Sequence, residues 1–108
     1  MVNTSIIQGF VSGATLDRDK NGSPYVFFDL CHIDYKKEKN WFKCFFFGGV
    51  AEVMSKRLKE GRNIVCQGHI RSRQENHPSA KPEPSLSIIV QRIDFIQTEQ
   101  GNDIGGEN

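Results

Sequence analysis

The stretch Asn40-Trp41-Phe42-Lys43-Cys44-Phe45-Phe46-Phe47, which runs into Gly48-Gly49, decides how the rest of the chain is read. As a strand it alternates between two faces, with Trp41, Lys43, Phe45 and Phe47 on one and Phe42, Cys44 and Phe46 on the other. The second set is wholly apolar and belongs to a core. The first holds a cation and the chain's one tryptophan, and an ammonium is not buried without a partner. Trp41 and Lys43 are therefore expected at the surface. Phe45 is expected to be packed, because three exposed aromatics in a row would aggregate. Phe47, beside the start of the next segment, can be exposed or can cap the core.

On either side of this strand the chain reads as short strands punctuated by turn chemistry, with one helix. Residues 5–11 are β-rich and interrupted by Gly9, which is expected to mark a bulge or a barrel corner. A polar turn over residues 17–24 contains Asn21-Gly22, and Pro24 can open a strand. Strand two, residues 25–33, sets Val26, Phe28 and Leu30 against Tyr25, Phe27, Asp29 and Cys31. Residues 34–39 form a charged hairpin loop. Residues 50–60 switch to helical spacing through Val50, Val53, Met54 and Leu58, and Gly61 is expected to end the helix in the left-handed conformation. Strand four, residues 62–73, sets Ile64, Cys66, Gly68 and Ile70 against Val65, Gln67, His69, Arg71 and Arg73. Residues 74–85, with three prolines, are expected to form a long mobile loop before a fifth strand at 86–96.

Composition bounds what this can be. A chain of 108 residues makes one domain with one modest core. With 37% apolar and 25% charged residues and no apolar run near 20 residues, it reads as soluble, with no membrane span. No basic-then-apolar leader opens it, so a cytoplasmic location is expected. Cys31, Cys44 and Cys66 are odd in number and sit in apolar strand patterns, which reads as buried reduced thiols. The histidines lack the spacing of a metal site, and no cofactor is expected. The net charge of +1 hides a segregation. Residues 1–35 carry net −2, residues 36–73 net +7 and residues 74–108 net −4. A basic middle between acidic ends implies a localised anion-binding surface. Lys56, Arg57 and Lys59 read as the solvated face of the helix, leaving Lys36, Lys37, Lys39, Lys43, Arg71 and Arg73 as the cations of interest. Residues 98–108, acidic and without apolar period, are expected to be a disordered tail beyond a domain at 1–97.

Five strands with one helix between the third and fourth is the order of an all-β OB-fold, a Greek-key barrel whose second and third strands commonly bind oligonucleotides. Three runs carry a more specific resemblance: residues 41–53, Leu58-Lys59-Glu60-Gly61, and Gln67-Gly68-His69-Ile70-Arg71-Ser72-Arg73. They resemble the bacterial single-stranded DNA-binding proteins, which read there W-x-R-V-x-x-F-G-x-x-A-E, L-x-x-G and E-G-x-L-x-T-R. Ile6-Ile7-Gln8-Gly9 and Asn21-Gly22 match more loosely.

The resemblance implies that Trp41 and Phe47 stack on bases and that Lys43, Arg71 and Arg73 face the DNA. Elementary physics supports the same residues. Side chains two apart on a strand stand roughly 6.5 to 7 Å apart, a spacing that suits successive unstacked bases. An aromatic ring contributes about 1 to 3 kcal/mol per stacked base, and neighbouring cations neutralise phosphates. Tyr35, Lys36 and Lys37 lie at the tip of the loop between strands two and three, where family members make further contacts. His69 shares the polar face of strand four. The implied function is sequence-independent binding and protection of single-stranded DNA in replication, recombination or repair, in the cytoplasm at the nucleoid. The implied assembly is a homotetramer, with a dimer as the other possibility, and an unpaired edge at residues 5–9 would promote it.

The departures are informative as well. Glu75 stands where many family members have tryptophan. Their long tail ends in an acidic, partner-recruiting tip with a terminal phenylalanine, whereas this sequence ends Asp103-Ile104-Gly105-Gly106-Glu107-Asn108. Either it is cut short or recruitment takes another form. The small dimeric primosomal proteins of replication restart are a second resemblance within the binding class, weaker over residues 41–53. An OB module that binds only protein is a third reading, since fold does not fix function. No spacing of Ser, His, Asp or Glu suggests a catalytic triad, metal chemistry or a phosphate loop, so no enzyme is expected.

Overall fold

The computed structural model describes residues 2–72 and 86–97. The expected loop at 74–85, the expected tail at 98–108 and Arg73 lie outside the described residues. The elements are β1 (Ser5–Arg18), β2 (Pro24–Ile33), β3 (Lys39–Phe47), α1 (Ala51–Arg57), β4 (Asn63–Ser72) and β5 (Leu86–Phe95). The strands close into one barrel in the order β1-β2-β3-β5-β4. All neighbours are antiparallel except β3 and β5, whose parallel pairing from Lys43↔Ser87 to Phe46↔Val90 completes the closure. This is the five-stranded OB barrel, with its single helix between the third and fourth strands.

The period-two pattern determines what lies inside. Val26, Phe28 and Leu30 from β2, Cys44 and Phe46 from β3, Ile64 and Cys66 from β4, and Ile88 and Val90 from β5 fill the interior. Ala51 and Leu58 close one end of it. All three cysteines are buried and free. Hydrogen bonding with the Cys66 thiol, and then burial, raise the Cys44 thiol far above its ordinary range, so it is an inert core group.

Two expectations about the first half of the chain are corrected. The first strand runs to Arg18, seven residues beyond the expected end. It pairs with β4 over Ser5 to Phe10 and with β2 over Phe10 to Arg18, so one strand spans two sides of the barrel. The break in register falls between Ser12 and Thr15, around Gly13 at φ 68, rather than at Gly9. Glu60 pins this irregularity: its carboxylate accepts Gly13 N–H and Ser12 Oγ–H, both at 2.9 Å, and these bonds hold it below the usual carboxylate range. Gly9 serves close approach instead, since a Cβ there would lie 2.6 Å from the Cys31 carbonyl oxygen. Residues 5–9 pair with β4 along one edge only; on the other edge the pairing with β2 begins at Phe10, so the expected unpaired edge is present among the described residues.

The helix is also shorter than its spacing suggests. It ends at Arg57, and Leu58 leaves helical geometry with its side chain buried. Gly61 does adopt a positive φ of 81, but in the following turn, where its N–H bonds to the Val11 carbonyl at 2.8 Å. The return bond from Val11 N–H to the Arg62 carbonyl, 2.9 Å, ties that turn to β1. These tethers fix the chain direction after Leu58 and exclude another helical turn. Ala51, Met54 and Leu58 face inward, whereas Val50 and Val53 are exposed.

Candidate nucleic-acid interface

The β2–β3 hairpin sets the geometry of one outer face. Its register pairs Tyr25 with Phe47, Phe27 with Phe45, Asp29 with Lys43 and Cys31 with Trp41. Each of these pairs shares the outer face, because Val26, Phe28, Cys44 and Phe46 point into the barrel. β5 and β4 continue two of the rows: Phe45 lies beside Ile89 and then His69, and Lys43 beside Ser87 and then Arg71. Adjacent strands are about 4.8 Å apart, so the Lys43 and Arg71 backbones flank Ser87 at roughly 10 Å from each other.

Four rings form a continuous surface on this face. Tyr25 stacks on Phe47 with centroids 5.3 Å apart, and Phe45 stacks on Phe47 at 6.3 Å with only 12° between planes. Tyr25 and Phe27 are 6.1 Å apart, and Phe27 and Phe45 6.3 Å. Such offset arrangements stabilise the rings mutually while leaving surface for a further flat group. Phe47 is 50% exposed and Trp41 56%. Along β3 the order Phe47, Phe45, Lys43, Trp41 covers about 20 Å, three rings and one cation facing outward.

Phe45 is thus packed, as expected, but against its neighbours in this outer layer rather than in the core. Tyr25 and Phe27 complete the layer and were absent from the sequence-based candidates. Their signal was present in the alternation of strand two, but only the hairpin register shows that they adjoin Phe45 and Phe47.

Lys43 is not a free cation. Its Nζ is 3.1 Å from Asp29 Oδ1 and 5.7 Å from the centre of the Phe27 ring. The hairpin tip beyond Trp41 is built by Asp34, whose carboxylate accepts the Glu38 and Lys36 N–H groups at 3.0 and 2.9 Å and the Asn40 amide at 3.2 Å. The Glu38 bond, then the Asn40 bond, hold Asp34 below its ordinary pKa. Lys37 takes a left-handed φ of 66 in this turn. The turn projects Tyr35, 88% exposed, with the Lys36 ammonium 5.8 Å from its ring.

The structure therefore brings Trp41, Lys43 and Phe47 onto one strand, with His69 and Arg71 across β5 on the same face and Tyr35, Lys36 and Lys37 at the Trp41 end. Arg73 lies outside the described residues. Among the described residues, no group of three or more His, Cys, Asp or Glu could hold a metal ion.

Comparison with known proteins gives consistent findings. The chain is 26% identical over 92 residues to single-stranded DNA-binding protein 1 of Xylella fastidiosa (strain 9a5c), covering 77% of this chain and 68% of that one. Its fold matches the crystal structure of the small single-stranded DNA-binding protein from Streptomyces coelicolor with a TM-score of 0.72, at 22% identity, over 89% of this chain and 96% of that one. The same TM-score, 0.72, relates it to the Plasmodium falciparum SSB in complex with ssDNA, at 16% identity over 90% and 97% of the two chains. The family described as the single-strand binding protein family matches residues 2–96. That match spans the whole barrel, and the chain belongs to the single-strand binding protein family.

Proposed function

We propose that the chain binds single-stranded DNA with little base preference and protects it during replication, recombination or repair. Bases stack on Trp41, Phe47 and the rings beside them, while Lys43, Arg71, Arg73 and the Lys36–Lys37 tip neutralise phosphates, with His69 at the edge of the same face. The observation that carries this reading is the exposed layer of rings beside a row of cations on one sheet of a single-strand binding family member. Aromatic faces accept any base, and cations that track a backbone read no sequence. The role is binding, with no catalytic step, and its setting is the cytoplasm, at the nucleoid. Among the described residues no helix is long and apolar enough to cross a membrane. The test is quenching of Trp41 fluorescence by oligo-dT, with an affinity that falls as salt rises; absence of both would leave a protein-interaction module as the better reading.

Self-association belongs to the same reading, as a homotetramer or a dimer. One edge of β1 has no strand partner over residues 5–9 among the described residues, and Ile6 and Phe10 are exposed on the same strand, which suits a contact with a second copy. A solution mass of one chain at micromolar concentration would contradict it.

A further inference from the structure

The aromatic face contains a group that opposes its proposed ligand. Asp29 is the one carboxylate in the row that carries Lys43 and Arg71, whereas Asp17 lies opposite Tyr25 at the Phe47 end, and an ionised carboxylate offers only acceptors to a phosphate that also has only acceptors. It lies two residues along β2 from Phe27 and directly opposite Lys43, whose Nζ it holds at 3.1 Å. Its grip draws the ammonium toward β2 and the Phe27 ring, away from Ser87 and Arg71 on the other side of β3. The two side chains are 44% and 45% exposed, and ion pairs so open to water contribute little to folding. Fold stability is a poor explanation for an acid at this position.

We propose that Asp29 acts as an internal competitor for the phosphate backbone. In the free protein its carboxylate occupies Lys43, and a bound strand must displace it to claim that ammonium. Asp29 thereby lowers affinity and confines the phosphates to the side of β3 that carries Ser87 and Arg71, leaving the β2 side to bases. The inference rests on the proposed single-strand binding and adds to it a residue that sets the strength and the path of binding. A counterion argument gives it a measurable signature. When Lys43 neutralises a phosphate, one cation leaves the DNA, but the released Asp29 takes one up, and the pair contributes almost nothing to the salt dependence. With Asp29 removed as a charge, the Lys43 contact releases its cation without compensation.

The experiment compares the intact chain with Asp29→Asn, binding oligo-dT over a range of salt. Asp29→Asn is expected to bind about three- to tenfold more tightly at low salt. The slope of log affinity against log salt should steepen by about 0.7, the value of one phosphate contact on a single strand. In the background of Lys43→Gln the same change should bring no such gain, and Asp94→Asn, which breaks the comparable Arg92–Asp94 pair elsewhere on the barrel, should not reproduce it. An unchanged or weaker affinity at an unchanged melting temperature would overturn the inference, as would a gain that survives Lys43→Gln, because Asp29 would then be a diffuse repulsive charge. If Asp29→Asn lowers the melting temperature, Asp29→Ser decides by the same criteria. If the unaltered chain binds no oligo-dT, the proposed function itself fails, an outcome separable from the others.

Discussion

Trp41→Ala combined with Phe47→Ala is expected to weaken oligo-dT binding by about a hundredfold while leaving the melting temperature within a few degrees. Each ring contributes on the order of 1 to 3 kcal/mol per stacked base, and two at about 1.4 kcal/mol each give two factors of ten. The fold should tolerate the loss because both side chains are about half exposed and neither belongs to the buried core. Phe45 and Phe27 keep the Tyr25 ring in place after Phe47 is cut back. Circular dichroism melting and oligonucleotide anisotropy on one preparation separate the outcomes. A collapsed melting temperature would mean that the two rings are structural, and an unchanged affinity would mean that bases stack elsewhere.

Gly68→Ala is expected to destabilise the barrel severely, by about 3 kcal/mol or more, which corresponds to a fall in melting temperature of roughly 10 to 20 °C. A Cβ at Gly68 would stand 2.1 Å from the Ile89 carbonyl oxygen and 2.9 Å from both the Ile89 carbonyl carbon and the Val90 Cα. All three are backbone atoms, so no rotamer change relieves the clash and β4 must separate from β5. The shift in register between Gln67 and Gly68 lies at the same place. Separation there would also misplace His69 and Arg71, so DNA affinity should fall together with stability. Gly49→Ala serves as the comparison: nothing lies within 4 Å of its added Cβ, and its melting temperature should change little. Equal stability of the two variants would contradict the close packing of β4 on β5.

The sequence was most legible where one face of a strand is buried, because a period of two leaves no choice about which residues go inside. That is why residues 40–47 divided correctly into Phe42, Cys44 and Phe46 inside and Trp41, Lys43 and Phe47 outside. Phe45 is packed as expected, but the strand pattern alone does not supply its partners: four rings packed against one another are half-buried outside any core. Tyr25, Phe27 and Asp29 escaped attention for a related reason. Their importance depends on a hairpin register in which the numbers of paired residues sum to 72, as in Tyr25 with Phe47 and Asp29 with Lys43. The tip at residues 34–38 fixes that sum through the hydrogen bonds of Asp34.

Local signals failed where distant contacts prevail. The first strand continues past Gly13 because β2 offers it a second partner and Glu60, 47 residues away, holds the irregularity. The helix stops at Arg57 because bonds between β1 and the turn at Gly61 and Arg62 compete with its next turn. Gly68 looked like one more small residue on a core face, and only the nearness of Ile89 shows why no side chain fits there.

The claim that bases stack on the outer face of β2 and β3 is tested most directly by one titration. Trp41 is the only tryptophan of the chain, so its fluorescence reports on that face alone. Addition of oligo-dT at low salt should quench it to saturation, and added salt should reverse the quenching by weakening the phosphate contacts. Binding detected by anisotropy with no change in Trp41 emission would contradict the account, for it would place the DNA on a different surface of the barrel.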